Sequence, residues 1–156
     1  MAFRRLLDEQ SPIIFSLLQR MVFDRSEHED IAQEIFVKIA QNIASFKGDS
    51  KLSTWIYTIA YRHILDHLKK NRRDIIQKSK PIEDYHSLEA EDEETEGDVD
   101  IKRLLGKLDK KYRIYVEMKY IDNRSLKEMA DITGLSLGAV KTRIHRGIKE
   151  LRNYLT

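Results

Sequence analysis

A strongly acidic segment divides this sequence into two parts. Residues 81–100 contain ten acidic side chains and no basic one. A block of like charge repels itself and resists burial, so it cannot form part of a folded core. Residues 1–80 carry a net charge of +4 and residues 101–156 carry +8, although the whole chain sums to only +2. This pattern predicts two small basic domains, residues 1–80 and 101–156, joined by a flexible acidic linker over 81–100.

The apolar residues on both sides of the acidic segment recur at steps of three and four, which is the period of an amphipathic helix. Only two Pro and six Gly interrupt the chain, and no stretch alternates as a half-buried strand would. We therefore predict an all-α fold with two small helical domains. Ser11–Pro12 is typical of a helix start, and another helix is expected from Ser53. Ser26 and Glu29 have the spacing of a capping box.

Composition excludes several classes of function. The chain contains no Cys, which rules out disulfides, thiolate metal sites and cysteine nucleophiles. No apolar run reaches the roughly 18 residues that suggest a membrane span, and the N-terminal residues lack a signal-peptide pattern. Neither a Gly-rich phosphate loop nor a serine–histidine–acid set is present. We expect a cytoplasmic protein that uses no cofactor or metal and catalyses no reaction.

The C-terminal part has the pattern of a helix-turn-helix. Ser125 and Glu128 have capping-box spacing, and Gly134 can form the tight turn. Ser136 can cap the second helix, whose N-terminal residues would enter the major groove of duplex DNA. The side chains expected at this DNA surface are Ser136, Lys141, Thr142, Arg143, His145 and Arg146. The alternative is an ordinary helical hairpin with a solvated charged face.

Aromatic, cationic and hydroxyl side chains are interleaved before and along the predicted third helix. Rings can stack on unpaired bases while Lys and Arg follow the backbone of a single strand. The candidates for such contacts are Phe46, Lys47, Lys51, Ser53, Thr54, Trp55, Tyr57, Tyr61 and Arg62. The alternative is that Trp55 and the neighbouring tyrosines are core and boundary residues of a small helical bundle. Composition alone favours this alternative.

Two blocks of the sequence resemble a known family. The segments DIAQEIFVK (30–38), FKGDS (46–50), STWIYTIA (53–60) and DHLKK (66–70) resemble conserved region 2 of bacterial sigma factors. The segment GAVKTRIHRG (138–147) resembles region 4. Their order and the short distance between them are typical of the extracytoplasmic-function group. The resemblance covers about residues 11–80 and 101–155.

This resemblance implies a promoter-specificity factor that binds core RNA polymerase and assists DNA melting. Asp30, Gln33, Glu34 and Phe36 would dock on the β′ clamp helices. The aromatic and cationic set from Phe46 to Arg62 would bind the melted minus-ten element. The region-4 set from Ser136 to Arg146 would bind the duplex minus-thirty-five element, and this region would also contact the β flap. An anti-sigma factor is a further expected partner.

Other interpretations remain open at this stage. A stand-alone helix-turn-helix regulator would account for the C-terminal part alone, and a sigma-like adaptor without promoter activity is also compatible. His63 and His67 lie one helical turn apart, as zinc ligands often do, so a small metal-dependent hydrolase is a third alternative, although a third ligand is missing. The acidic segment could also fold back on the basic faces, but a solvated tether is the favoured interpretation. Asp109 is expected to cap a helix.

Overall fold

The computed structural model describes residues 2–77 and 96–155, and all of the regular structure in these two ranges is helical. The α-helices are α1 (Ala2–Met21), α2 (His28–Asn42), α3 (Leu52–Gln77), α4 (Glu96–Lys107), α5 (Lys110–Tyr120), α6 (Leu126–Thr133) and α7 (Leu137–Leu155). Single 3₁₀ turns, Arg25–Glu27 and Ile43–Ser45, lie at the two ends of α2. The predicted all-α class is confirmed.

The chain divides into two units, residues 1–89 and 90–156. This boundary falls inside the predicted acidic linker. Helix α4 begins at Glu96, so residues 96–100 are helical where the charge pattern predicted a flexible linker. Consecutive acidic residues disfavour burial, but they do not prevent a helix that has an apolar stripe further along. The rest of the predicted linker, up to residue 95, lies outside the described residues.

In the first unit, α1, α2 and α3 pack against one another. Each helix contributes an apolar stripe at steps of three and four, as the sequence pattern predicts. The core consists of Ile14, Leu17, Leu18, Val22, Ile31, Ala32, Ile35, Ile39, Ile56, Tyr57, Ala60, Tyr61 and Ile64. Helix α3 begins at Leu52, within one residue of the predicted start.

Two predicted helix starts in this unit are wrong. Helix α1 begins at Ala2 and continues through Pro12. Phe3 and Leu6, which precede Pro12, line an apolar pocket together with Ala40 of α2, so this segment faces the rest of the unit. The expected capping box of Ser26 and Glu29 does not start α2. Instead, Asp24 caps the preceding 3₁₀ turn and accepts hydrogen bonds from the amide and the hydroxyl of Ser26 at 3.0 and 2.6 Å.

In the second unit, α7 is the central element and packs against α4, α5 and α6. The buried apolar residues of this unit are Leu105, Leu108, Tyr115, Val116, Met118, Met129, Ile132, Val140 and Ile144. Asp109 caps α5 as predicted, since its carboxylate accepts a hydrogen bond from the amide of Lys111 at 3.2 Å. Helices α5 and α7 cross closely at Gly147, where a Cβ atom would lie 2.6 Å from Cγ2 of Val116.

Candidate nucleic-acid interfaces

The helix-turn-helix consists of α6, a three-residue turn and α7, and its local structure follows the predicted caps. Ser125 Oγ accepts a hydrogen bond from the amide of Glu128 at 3.0 Å. Gly134 has a φ of 75°, a conformation that few other residues adopt, and its amide donates to the carbonyl of Ala130 at 2.9 Å. Ser136 Oγ accepts from the amide of Ala139 at 3.1 Å. These bonds fix where α6 ends and where α7 begins.

Helix α7 presents a polar face to solvent opposite the apolar residues that hold it. Val140, Ile144 and Gly147 are buried against the rest of the unit. Five of the six predicted contacts with duplex DNA are exposed, namely Ser136, Lys141, Thr142, His145 and Arg146. Lys149 and Arg152 extend the same positive surface toward the end of the helix.

Arg143 differs from the other predicted contacts on α7 because it is half-buried. Its Nη1 donates a hydrogen bond to the hydroxyl of Tyr115 on α5 at 2.7 Å. The guanidinium carbon lies 5.0 Å from the centroid of the same ring, within the range of a cation–π contact. Arg143 therefore has a fixed partner within its own unit, unlike a cation that points freely into solvent.

The second candidate interface is the loop between α2 and α3. Phe46 and Trp55 form an aromatic pair with ring centroids 5.4 Å apart and planes tilted by 51°, and each ring remains partly exposed. Gly48 has a φ of 78°, which turns the chain between them. Lys47 and Lys51 are exposed on either side of this turn. The loop thus combines accessible rings with two cations.

Three of the side chains predicted to contact unpaired bases lie elsewhere. Thr54, Tyr57 and Tyr61 are only 2%, 1% and 5% exposed and belong to the core of the first unit. A side chain buried this deeply cannot stack on a base unless the core opens, so the structure corrects this part of the prediction. Of the remaining candidates on α3, Ser53 is half-buried and Arg62 is exposed.

The residues predicted to dock on polymerase lie along α2. Asp30, Gln33 and Glu34 are exposed, whereas Phe36 is half-buried. Val37 is an exposed apolar residue, 53% accessible, one or two turns after these polar residues on the same face. Val37 was not among the residues predicted from the sequence, although its spacing of seven from Asp30 places it on the same face of the helix. Together Asp30, Gln33, Glu34 and Val37 form a mixed polar and apolar surface, which we call the α2 face.

The histidines of α3 have carboxylate partners on or next to α2. His63 Nε2 lies 2.7 Å from a carboxylate oxygen of Glu34, and His67 Nε2 lies 3.5 Å from one of Glu27. Among the described residues, the buried Nδ1 of His63 has no hydrogen-bond partner. In the described ranges 2–77 and 96–155, no group of three or more suitable side chains is placed to hold a metal ion. The alternative of a metal-dependent hydrolase therefore gains no support.

Asp24, at the turn before α2, has a shifted pKa. The hydroxyl of Ser26, and next its amide, hold the pKa of the Asp24 carboxyl below its ordinary value, because both hydrogen bonds favour the ionised form. His28 adds a smaller effect in the same direction. This carboxylate supports the turn that leads into α2 and lies outside the two candidate interfaces.

These features define a class of protein. A helix-turn-helix with an exposed cationic second helix is typical of proteins that bind duplex DNA, and the first unit adds an aromatic loop suited to unpaired bases. Across the described residues, none of the helices has the length and apolar character needed to cross a membrane. The described residues therefore have the features of a helical DNA-binding protein.

Comparison with known proteins identifies the family. The Sigma-70 region 2 model matches residues 6–74, and the Sigma-70, region 4 model matches residues 98–151. The ECF RNA polymerase sigma factor SigW of Bacillus subtilis (strain 168) is 36% identical over 166 residues, which cover 99% of this chain and 89% of SigW. The chain belongs to the extracytoplasmic-function group of RNA polymerase sigma factors, which are promoter-specificity factors and not catalysts.

Solved structures share the fold. The sigma factor RpoE of Bartonella quintana, in complex with the anti-sigma factor NepR, matches with a TM-score of 0.82 at 20% identity, covering 99% of this chain and 96% of that one. CnrH in complex with the cytosolic domain of CnrY matches with a TM-score of 0.67 at 22% identity, covering 99% and 87%. At these identities the match supports the fold alone.

Proposed function

We propose that this sigma factor divides its work between three surfaces of the two units. The α2 face docks on the β′ clamp helices of core RNA polymerase. The loop from Phe46 to Trp55 binds unpaired bases of the minus-ten element. The exposed side of α7 binds the duplex minus-thirty-five element. The observation that carries the proposal is the positive, solvent-facing side of α7 directly after the Gly134 turn.

The α7 surface suits duplex DNA for electrostatic reasons. Lys141 and Arg146 are exposed cations on either side of Thr142 and His145, so phosphates and base edges can be contacted from one helix. Each phosphate neutralised by a cation releases condensed counterions, which makes the affinity fall steeply with salt. Region 4 also contacts the β flap in this proposal.

The loop surface suits melted DNA for a different reason. Phe46 and Trp55 form a ready stacking platform, and stacking is worth about 1–3 kcal/mol per base. Further along α3, the exposed cations Arg62, Lys69, Lys70, Arg72 and Arg73 extend a positive path for the strand. Because Thr54, Tyr57 and Tyr61 are buried, we assign them to supporting the helix that carries this path.

The remaining parts of the proposal concern partners and setting. Because the two structural neighbours are bound to an anti-sigma factor and to a cytosolic partner domain, respectively, we propose an anti-sigma factor as a regulator of this chain. Its work is binding to polymerase and promoter in the cytoplasm, without a catalytic step of its own. These assignments rest on the family and on the surfaces described above.

Run-off transcription with core RNA polymerase on genomic fragments tests the proposal. The full chain should produce discrete transcripts that core polymerase alone does not produce. In the same preparations, Asp30→Lys should weaken binding to core polymerase, because it reverses a charge on the α2 face. Asp8→Lys makes the same change on α1 and is the matched control. Absence of any chain-dependent transcript, or equal binding of both variants, would contradict the proposal.

A further inference from the structure

The hydroxyl of Tyr115 holds Arg143 in one orientation at the edge of the exposed side of α7. Tyr115 is only 6% exposed and belongs to the packed surface of α5. Its hydroxyl accepts the hydrogen bond from Nη1 of Arg143 at 2.7 Å, and its ring supports the guanidinium from 5.0 Å. A planar guanidinium that makes this bond and this ring contact within its own unit has fewer orientations available than one surrounded by solvent.

The position of Arg143 on α7 decides what it can contact. Successive residues are separated by about 100° around the axis of a helix. Arg143 therefore lies roughly 60° around the axis of α7 from Arg146, on the side toward α5. It therefore lies at the margin of the exposed side, whereas Thr142 and His145 lie nearer its centre. When a helix occupies the major groove, residues at its margins face the sugar–phosphate backbone, and such contacts fix the register of the protein on the duplex.

Arg143 retains the donors for such a contact. A guanidinium has five N–H donors, and the bond to Tyr115 uses one of them. A side chain already ordered in the free protein loses less conformational freedom when it binds. Charge-assisted hydrogen bonds to phosphate also depend on the direction in which the guanidinium N–H groups point. The tyrosine hydroxyl can therefore affect a phosphate contact that it does not make itself.

We propose that Tyr115 is a positioning residue that orients Arg143 toward one backbone phosphate of the minus-thirty-five duplex. The inference rests on the proposed function, because it needs α7 in the major groove. It differs from the sequence-based prediction, in which Arg143 was grouped with base and phosphate contacts alike. Arg143 then sets register, while the exposed residues at the centre of the surface contact the bases.

Phosphate neutralisation tests this directly. The probe is the genomic promoter fragment with the strongest run-off signal, prepared with a single methylphosphonate at each backbone position of its upstream element in turn. Binding is measured for core polymerase carrying the full chain. Neutralising one particular phosphate should weaken binding of the unaltered protein by about tenfold, the size expected for a charge-assisted hydrogen bond. Arg143→Ala should bind weakly and should no longer respond to that position.

Tyr115→Phe removes only the hydroxyl and should reduce the response at the same position to about threefold or less. Tyr112→Phe removes a hydroxyl from the same helix, but the hydroxyl that Arg143 bonds is that of Tyr115. This control should therefore keep the full response. A merely structural role for Tyr115 would weaken binding at all positions equally, and that result, or a full response in Tyr115→Phe, would overturn the inference. Thermal unfolding of each variant verifies that it is folded.

The two levels of the proposal fail in different ways. If the unaltered protein supports no transcription from any fragment, the proposed function fails and the inference fails with it. If transcription is normal but no single phosphate distinguishes the unaltered protein from Arg143→Ala, only the inference about Tyr115 and Arg143 is wrong.

Discussion

Replacing Gly147 by Ala should destabilise the second unit, although alanine is the better helix former. The added Cβ would lie 2.6 Å from Cγ2 of Val116 and 3.3 Å from Cβ of Tyr112, whereas carbon atoms in good contact are separated by about 3.5–4.0 Å. Val116 is 3% exposed and β-branched, so its methyl group cannot rotate away easily. The helices α5 and α7 would have to move apart by about 1 Å to restore an ordinary contact.

The magnitude follows from two opposing effects. Overpacking of a core typically costs about 1–3 kcal/mol, and exchanging Gly for Ala within a helix returns about 1 kcal/mol. The difference is a net loss of roughly 0–2 kcal/mol, and we expect the upper part of that range because Val116 is buried and β-branched. Gly138 is the matched control, because it also lies in α7 but a Cβ added there would meet no atom within 4 Å. Gly138→Ala should therefore be neutral or stabilising by up to about 1 kcal/mol.

The single tryptophan makes the assay specific to one unit. Trp55 lies in the first unit, so its fluorescence follows that unit, whereas circular dichroism follows all helices. Gly147→Ala should shift the unfolding followed by circular dichroism without changing the fluorescence transition. In a Val116→Ala background the obstructing methyl group is absent and only the 3.3 Å contact with Cβ of Tyr112 remains, so Gly147→Ala should destabilise the unit much less. If Gly147→Ala were as stable as Gly138→Ala, the close-packing explanation would be wrong.

Three further predictions concern local contacts. Ser26→Ala should raise the pKa of Asp24, because it removes the hydroxyl, whose hydrogen bond is the largest cause of the lowered value, and leaves the amide in place. Carboxyl NMR titration measures this pKa, and an unchanged midpoint would contradict the prediction. Because the folded-state pKa is depressed, this contact stabilises the fold above the pKa of the unfolded carboxyl and is lost as pH falls through the folded-state value. Glu117→Gln should lower the free energy of unfolding by about 1–3 kcal/mol, because Glu117 is only 2% exposed and accepts a 2.6 Å hydrogen bond from Arg113. Urea denaturation measures the loss. An unchanged free energy of unfolding would show that the pair is dispensable. Gly134→Ala should lower the free energy of unfolding by about 1–2 kcal/mol in the same assay, because Gly134 has a φ of 75° that disfavours a residue with a Cβ atom. A variant as stable as the wild type would refute this explanation.

The sequence predicted those parts of the fold that local signals determine. Ser125, Gly134 and Ser136 act through bonds to backbone groups within four residues, so their spacing was sufficient to place α6 and α7. The predicted start of α1 was wrong, because Pro12 is a strong local signal for a helix start and the packing of the unit overrides it. Phe3 and Leu6, before Pro12, line a pocket with Ala40, Ile43 and Leu52, and a local pattern cannot show neighbours so distant in sequence.

The helical spacing of the buried tyrosines was a signal in the sequence that they belong to the core. Tyr57 and Tyr61 share the spacing of Ala60 and Ile64, which places all four on the core side of α3. Trp55 and Arg62 fall outside this stripe and are accessible to different degrees. Residue type left both base stacking and core packing open for these rings and favoured the core, whereas helical period separates the rings that support the helix from the ring that remains available.

The contact between Tyr115 and Arg143 had no such signal, because 28 residues separate the two and only the crossing of α5 and α7 brings them together. A count of positive charges treats Lys141, Arg143 and Arg146 as equivalent, whereas the structure distinguishes them by burial and by the bond from Arg143 to Tyr115. In the proposed function, all three cations contribute attraction that salt weakens. In the proposed positioning by Tyr115, Arg143 would in addition direct one contact to a particular phosphate. The two proposals therefore assign two separable properties to the same net charge on α7, affinity for DNA in general and a defined register on one site.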